Sequence, residues 1–219
     1  MSFFAKSILG TVLSFVLVAS SLTVTSASGL TSEVIGESYD VDPQEPVEFP
    51  QLNVGEEYTL EVVGGDSMTF TAEDPEVVLS QPEISTYASW ISCGSKDSNQ
   101  KIVRGFQRVA GDGLAAGATK LRCGSSAWGY RHININHKKN YQGIAVQVGE
   151  NSWTRFADFS INQALRYPAT VNYRSSNDTY AYRTEIQIRD SRGKVIYSFY
   201  SLVAVARVSK NIISAYPQR

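Results

Sequence analysis

From Thr170 to Pro217 the chain is strand-forming almost throughout, and this stretch limits the possible folds more than any other. The segments TVNYRSS, TYAYRTEIQI, KVIYSFYSLVAVARV and NIISAYP are rich in Val, Ile, Tyr and Thr, with the turn sequences SND and DSRG between them. Such residues suit a pleated, half-buried surface, and short connections of this kind join antiparallel neighbours. Upstream, NSWTRFADFSINQALRYP (151–168) reads as a helix. Asn151 or Ser152 can cap it, Trp153, Phe156, Ile161, Ala164 and Leu165 form an apolar stripe, and Pro168 stops it. Before that helix, glycine-rich turns such as GDGLAAGATK (111–120) alternate with segments that could be helical. Helices first and an antiparallel meander afterwards predict an α+β fold, N-terminal helices packed on an antiparallel β-sheet.

The N-terminal third is of another kind. Lys6, an apolar run from Ile8 to Ala19 and the small residues Thr25 to Ala27 have the form of a secretory signal peptide, 1–27, cleaved after Ala27. No second run of about twenty apolar residues follows, so the mature chain is expected to leave the membrane and to be secreted. Residues 28–53, with Pro43, Pro46 and Pro50 among acids, read as a linker. Within 54–89, Tyr58, Leu60 and Val62 alternate, Gly64-Gly65-Asp66 turns, and Met68 and Phe70 alternate again. This is a hairpin signature, which a further strand at Val77–Leu79 would extend into a small acidic β module preceding the basic domain, 90–219.

Charge separates the same two regions. Between Ser28 and Ser89 there are fourteen acidic residues and no Lys or Arg, whereas Trp90–Arg219 carries nineteen basic residues against seven acidic ones. A basic domain of this kind is suited to polyanions, and the acidic segment would solvate or shield it. The only two cysteines, Cys93 and Cys123, read in an exported chain as a disulfide, whose loop of about 30 residues is worth ~3–4 kcal/mol. Two free buried thiols are the alternative.

Both histidines of the chain, His132 and His137, lie in GYRHININH. Five residues correspond to about 140° around a helix and to opposite faces of a strand, which suits neither zinc nor any other single ion. The sequence lacks G-x-S-x-G and a phosphate-binding glycine loop followed by Lys-Ser or Lys-Thr, and the few acids of the basic domain form no evident pair. The reading is therefore of no metal and no cofactor. What two imidazoles can do without a metal is move protons, one as base and one as acid. The plainer alternative is that each is a polar residue hydrogen-bonded to a neighbour.

Two stretches together carry a resemblance. His132-Ile133 and His137 match a helix with an H-I-x-x-x-H pair, and Ile212-Ile213-Ser214-Ala215-Tyr216-Pro217 matches a terminal strand of the type I-I-T-A-Y-P. In both, the chain resembles the ribonuclease fold shared by barnase-like, EndoU-like and colicin-type nucleases, common in secreted bacterial toxins. The resemblance covers roughly residues 118–219. It departs at Asn136, where many relatives carry Arg, and at Ser214, where they carry Thr. It implies metal-independent cleavage of RNA through its 2′-hydroxyl. His132 and His137 would be acid and base, Ser214 and Tyr216 would bind the scissile phosphate, and a basic residue from an adjoining strand would complete the site. Arg183, opposite in facing to Tyr182 and Ile186, is the first choice for that residue, with Arg174 and Arg207 behind it. Arg131, Trp128 and Tyr130 are candidate substrate-binding residues, because aromatics interleaved with arginines suit single-stranded RNA. A toxin of this kind implies RNA as partner and a cognate immunity protein. The rival from another class is a non-enzymatic exported protein whose basic face binds an anionic surface polymer or a partner protein.

Overall fold

The computed structural model describes residues 49–80 and 90–219. The signal segment and most of the acidic linker lie outside the described residues. The described elements are β1 (Glu57–Val62), β2 (Ser67–Thr71), α1 (Pro75–Ser80), β3 (Ile102–Arg108), β4 (Gly117–Arg122), α2 (Gly129–Asn136), α3 (Lys138–Gln147), α4 (Trp153–Arg166), β5 (Thr170–Arg174), β6 (Thr179–Asp190), β7 (Val195–Ala206) and β8 (Ile212–Gln218). Strand outweighs helix, and no described helix is long and apolar enough to cross a membrane.

The main sheet runs β2-β1-β6-β7-β8, antiparallel throughout, with β5 also on β6, while β3 and β4 form a separate hairpin. The twelve-residue β6 organises it. One edge pairs with β7 along its length, and the other is shared: Thr179–Arg183 pair with β5, Ile186–Asp190 with β1.

This corrects the expected α+β layout of N-terminal helices on a sheet preceded by a separate acidic module. Four strands come before α2, α3 and α4, and the acidic hairpin is part of the main sheet, Leu60 facing Ile188 and Val62 facing Ile186. The physical reason is burial. Tyr58, Leu60 and Val62 are at most 3% exposed, which a lone two-stranded hairpin cannot achieve in water. Adding β1 to β6 buries that row and satisfies the backbone groups of the β6 edge. A second correction concerns Val77–Leu79, which lies in α1 and not in a strand. The Asp74 carboxylate accepts a hydrogen bond from the Glu76 N–H at 2.9 Å, and Pro75 stands at the first helical position, the chemistry of a helix start.

The apolar stripe of α4 meets one face of the sheet. Phe156 lies 6.3 Å from Phe199 between ring centroids, and Ala157, Ile161, Ala164 and Leu165 are fully buried with Tyr182, Ile186 and Val203. A polar staple crosses this layer: Ser160 Oγ donates to Ser201 Oγ at 2.7 Å, and Ser201 Oγ donates to the Ser160 carbonyl at 3.1 Å. On the other face of the sheet stand Arg183, Leu202 and Tyr216, paired in one row across three strands, and Ala181, Ala204 and Ser214 in the next.

Helix α2 is delivered to β8 by the turn Cys123–Gly129. Cys93 and Cys123 are disulfide-bonded with Cα atoms 5.7 Å apart, fixing the start of this turn. Gly124 has φ +64°, and a Cβ there would stand 2.0 Å from the Trp128 carbonyl oxygen. Gly124→Ala is therefore expected to cost roughly 2 kcal/mol or more, read as a fall in the urea midpoint. Gly143→Ala, in α3 where an added Cβ meets nothing within 4 Å, should leave the midpoint unchanged or raise it, a gain in stability of up to about 1 kcal/mol.

Candidate active site at the histidine pair

His132 sits inside α2, while His137 ends α2 and precedes α3, with φ −124° and ψ −6° outside helical geometry. That break changes the consequence of five-residue spacing. Instead of facing away from each other around one cylinder, the imidazoles meet edge to face with ring centroids 5.3 Å apart. Both are buried, His132 at 7% and His137 at 4% exposure.

Strand β8 completes the group. Ser214 Oγ is 3.2 Å from His137 Nε2, and the Tyr216 ring stacks on the His137 ring at 4.8 Å and 29°. Residues two apart on a strand share a face, so one imidazole touches both side chains. The structure thus brings His132, His137, Ser214 and Tyr216 together. Burial, and secondarily the neighbouring His132, lowers the His137 pKa to about 4. At neutral pH His137 is an uncharged imidazole sharing a hydrogen bond with a serine hydroxyl.

His132 is held differently. Its Nδ1 is 2.8 Å from the Ser126 carbonyl, which can only accept, so Nδ1 carries a proton and, in the neutral ring, Nε2 bears the lone pair. Nε2 is buried with no hydrogen-bond partner among the described residues. Asn136 Nδ2 is 3.0 Å from the same Nδ1 but donates to the His132 carbonyl at 3.1 Å. Ser126 and Asn136 are thus the polar neighbours of His132 Nδ1; the sequence singled out Asn136 only as a departure from the motif, and Ser126 not at all. The glycines bracketing CGSSAWG were the only available signal for Ser126.

The remaining candidates separate. Arg183 shares the Tyr216 face, two strands away, with its Cζ 3.5 Å from the Tyr200 ring centroid and its Nε unpartnered. Trp128 lies against Ala204, Ala206 and Ile213 on that face. Tyr130 does not join it: it stacks on Trp153 at 6.1 Å and meets Trp90 edge-on at 5.9 Å, within the main core cluster. The Arg131 guanidinium donates to the Gly94, Asp97 and Gly124 carbonyls and to Asn99 Oδ1, all at 2.6–2.8 Å, and so is committed to the loop. Arg207 is ion-paired with Asp178.

Much of the positive charge is committed in the same way. Lys101, Arg104, Arg155, Arg189 and Arg207 are ion-paired with Asp97, Asp158, Glu150, Glu61 and Asp178. Arg108 and Arg122 donate to backbone carbonyls.

The chain is similar to uncharacterized proteins from two strains of Mycobacterium tuberculosis, each 30% identical over 136 residues that cover 59% of this chain. It spans about half the length of these curated relatives, 49%. No family model and no solved structure matches.

The neutral state of His137 has a stability consequence of definite sign. The unfolded imidazole binds its proton near pH 6.5 and the folded one only near pH 4. Stability from this group is therefore whole above pH 6.5 and is lost as pH falls from 6.5 to 4, because the unfolded state binds more protons there. The loss is about 3 kcal/mol. Urea unfolding at pH 7 and pH 4 should show this excess loss in the native chain and not in His137→Asn.

Proposed function

We propose that this chain is an exported ribonuclease that cleaves RNA through its own 2′-hydroxyl without a metal. The observation that carries the reading is the meeting of two imidazoles with Ser214 and Tyr216 where α2 breaks against β8. His132 Nε2, the unpartnered lone pair, takes the proton of the 2′-hydroxyl. The 2′-oxygen then bonds to phosphorus, the bond from phosphorus to the 5′-oxygen breaks, and that oxygen takes a proton from His137. The products are a 2′,3′-cyclic phosphate and a free 5′-hydroxyl. Ser214 Oγ turns from His137 to donate to a phosphate oxygen, and the Arg183 guanidinium reaches from Tyr200 to balance the charge that develops there. Trp128, at the edge of the same face, offers a stacking surface for a base.

The burial of both histidines and the commitment of so many cations to internal partners favour a second reading. In it the chain is a non-enzymatic exported protein whose remaining exposed cations, Lys138 and Lys139 among them, bind an anionic polymer or a partner protein.

Digestion of a mixed-sequence RNA by the full chain in EDTA, between pH 4 and pH 8, separates the two. Cleavage leaving 2′,3′-cyclic phosphate ends is expected, with His132→Gln and His137→Gln each slower by roughly 10²-fold or more. Thermal unfolding of each variant checks that the fold is retained. Cleavage unaltered in the double variant, or dependent on added divalent metal, would overturn the assignment. Absence of cleavage across the pH range, together with salt-sensitive RNA binding, would establish the binder.

A further inference from the structure

His132 Nδ1 has two neighbours that make opposite demands. The Ser126 carbonyl requires a proton on Nδ1, whereas the Asn136 amide, 3.0 Å away, could donate only to an unprotonated Nδ1. With Ser126 in place the proton stays on Nδ1 and Asn136 turns to the His132 carbonyl, 3.1 Å away. If the Ser126 carbonyl withdraws, Asn136 donates to Nδ1 and the proton moves to Nε2, with no change in charge. The two arrangements differ in the one atom that matters to the reaction, because only the first leaves a lone pair on Nε2.

The turn carrying Ser126 is closed by the Ser125 N–H donating to the Trp128 carbonyl at 2.9 Å, and it is anchored by a clamp reaching back to the disulfide. Arg131, adjacent to His132, binds the Gly124 carbonyl at the start of the Ser126 turn and, with its other nitrogen, the Gly94 and Asp97 carbonyls. Those two belong to the loop that begins at Cys93, which the disulfide fixes to Cys123. The backbone closes the same circuit: Arg131 N–H donates to the Cys123 carbonyl, and Gly124 N–H to the Asn99 carbonyl. Without the disulfide, the loop at 94–99 is held to the turn by hydrogen bonds only, these together with those of Arg131 to Asn99 Oδ1 and of the Cys123 N–H to the Lys101 carbonyl.

We propose that Arg131 is a positioning residue which, through the loop stapled by Cys93–Cys123, sets the tautomer of His132, so that the base exists in the oxidised protein and is lost on reduction. The inference rests on His132 being the base of the proposed reaction. Reduction is ordinary thiol–disulfide exchange: a dithiol gives two electrons and two protons, the Cys93–Cys123 bond breaks to two thiols, and the reductant closes its own disulfide. Site assembly then follows the redox state of the compartment, complete where disulfides persist and incomplete where thiols are kept reduced.

The test reads the imidazole nitrogens of the full chain by ¹⁵N–¹H correlation at pH 7.5, without RNA, so its outcome is independent of whether RNA is cleaved. The oxidised native chain should show His132 protonated on Nδ1 with Nε2 bare. Treatment with dithiothreitol, the Cys93→Ser Cys123→Ser double variant, and Arg131→Ala should each move the His132 proton wholly or largely to Nε2. His137, held by Ser214, should keep its signals and so reports that the fold persists. Adding Asn136→Ala to the reduced state should remove the preference for Nε2–H. His132 unchanged in tautomer after reduction and in Arg131→Ala would overturn the proposal. So would loss of the His137 signals in all three perturbed forms, since the clamp would then hold the fold and not the tautomer.

Discussion

The backbone break at His137 is the constraint on which the site depends. An unbroken helix would send His132 and His137 to sides about 140° apart and leave no surface on which both could meet a third group. Leaving helical geometry for one residue lets α2 and α3 turn against the edge of β8, and the stacking of His137 on Tyr216 holds them there. The contact also covers strand β8, which pairs on one side only with β7. One local irregularity thus closes the sheet edge and creates the pair of facing imidazoles.

Charge takes on another meaning once the strands are placed. The strong split between acidic and basic regions reads from the sequence as a basic domain suited to polyanions and an acidic segment that solvates or shields it. In the described part, the acidic hairpin is in the sheet on the opposite flank from β8, and Glu61 pairs with Arg189 beside it. Ion pairs and carbonyl contacts use many of the remaining cations. Partly exposed pairs of this kind contribute little stability each, yet they withdraw the cation from any external anion. At the histidine site itself the unpartnered buried nitrogens are those of Arg183 and His132, while cations such as Lys138 and Lys139 lie exposed on the surface.

The four C-terminal strands were legible because they are dense in Val, Ile, Tyr and Thr between clear turn sequences, and α4 because its apolar stripe runs up to Pro168, although the Ser152 side chain makes no capping hydrogen bond. The β1–β2 hairpin was legible too, but its partner was not: nothing in Tyr58, Leu60 and Val62 says which strand edge they will join. Strand β3 escaped because its ladder shifts register between Ile102 and Arg104, which breaks the alternation that would have marked it. In the site, Ser214 and Tyr216 could be placed on one face from spacing alone, as a strand has a period of two. The meeting of the histidines could not, because it depends on a break that no proline or glycine announces. Arg131 illustrates a different limit. An arginine beside a histidine reads equally well as a ligand contact or as a clamp, and only the carbonyls around it decide.

A neutral His137 at first sight conflicts with the acid role proposed for it. With a pKa of about 4 it holds a proton at pH 7 only about once in a thousand molecules. The RNA substrate of the proposed reaction would change this balance. A phosphate carries a negative charge, and at ~4 Å with an effective dielectric near 20 it favours the imidazolium by ~4 kcal/mol, or about three pKa units. That is the size of the deficit. Binding would thus supply the proton that the empty site refuses, and the hydrogen bond between Ser214 and His137 would be exchanged for one from Ser214 to the phosphate as it happens. In the proposed reaction, burial that keeps His137 uncharged without RNA and charged with it would concentrate the electrostatic gain on the complex, where it would serve the leaving oxygen.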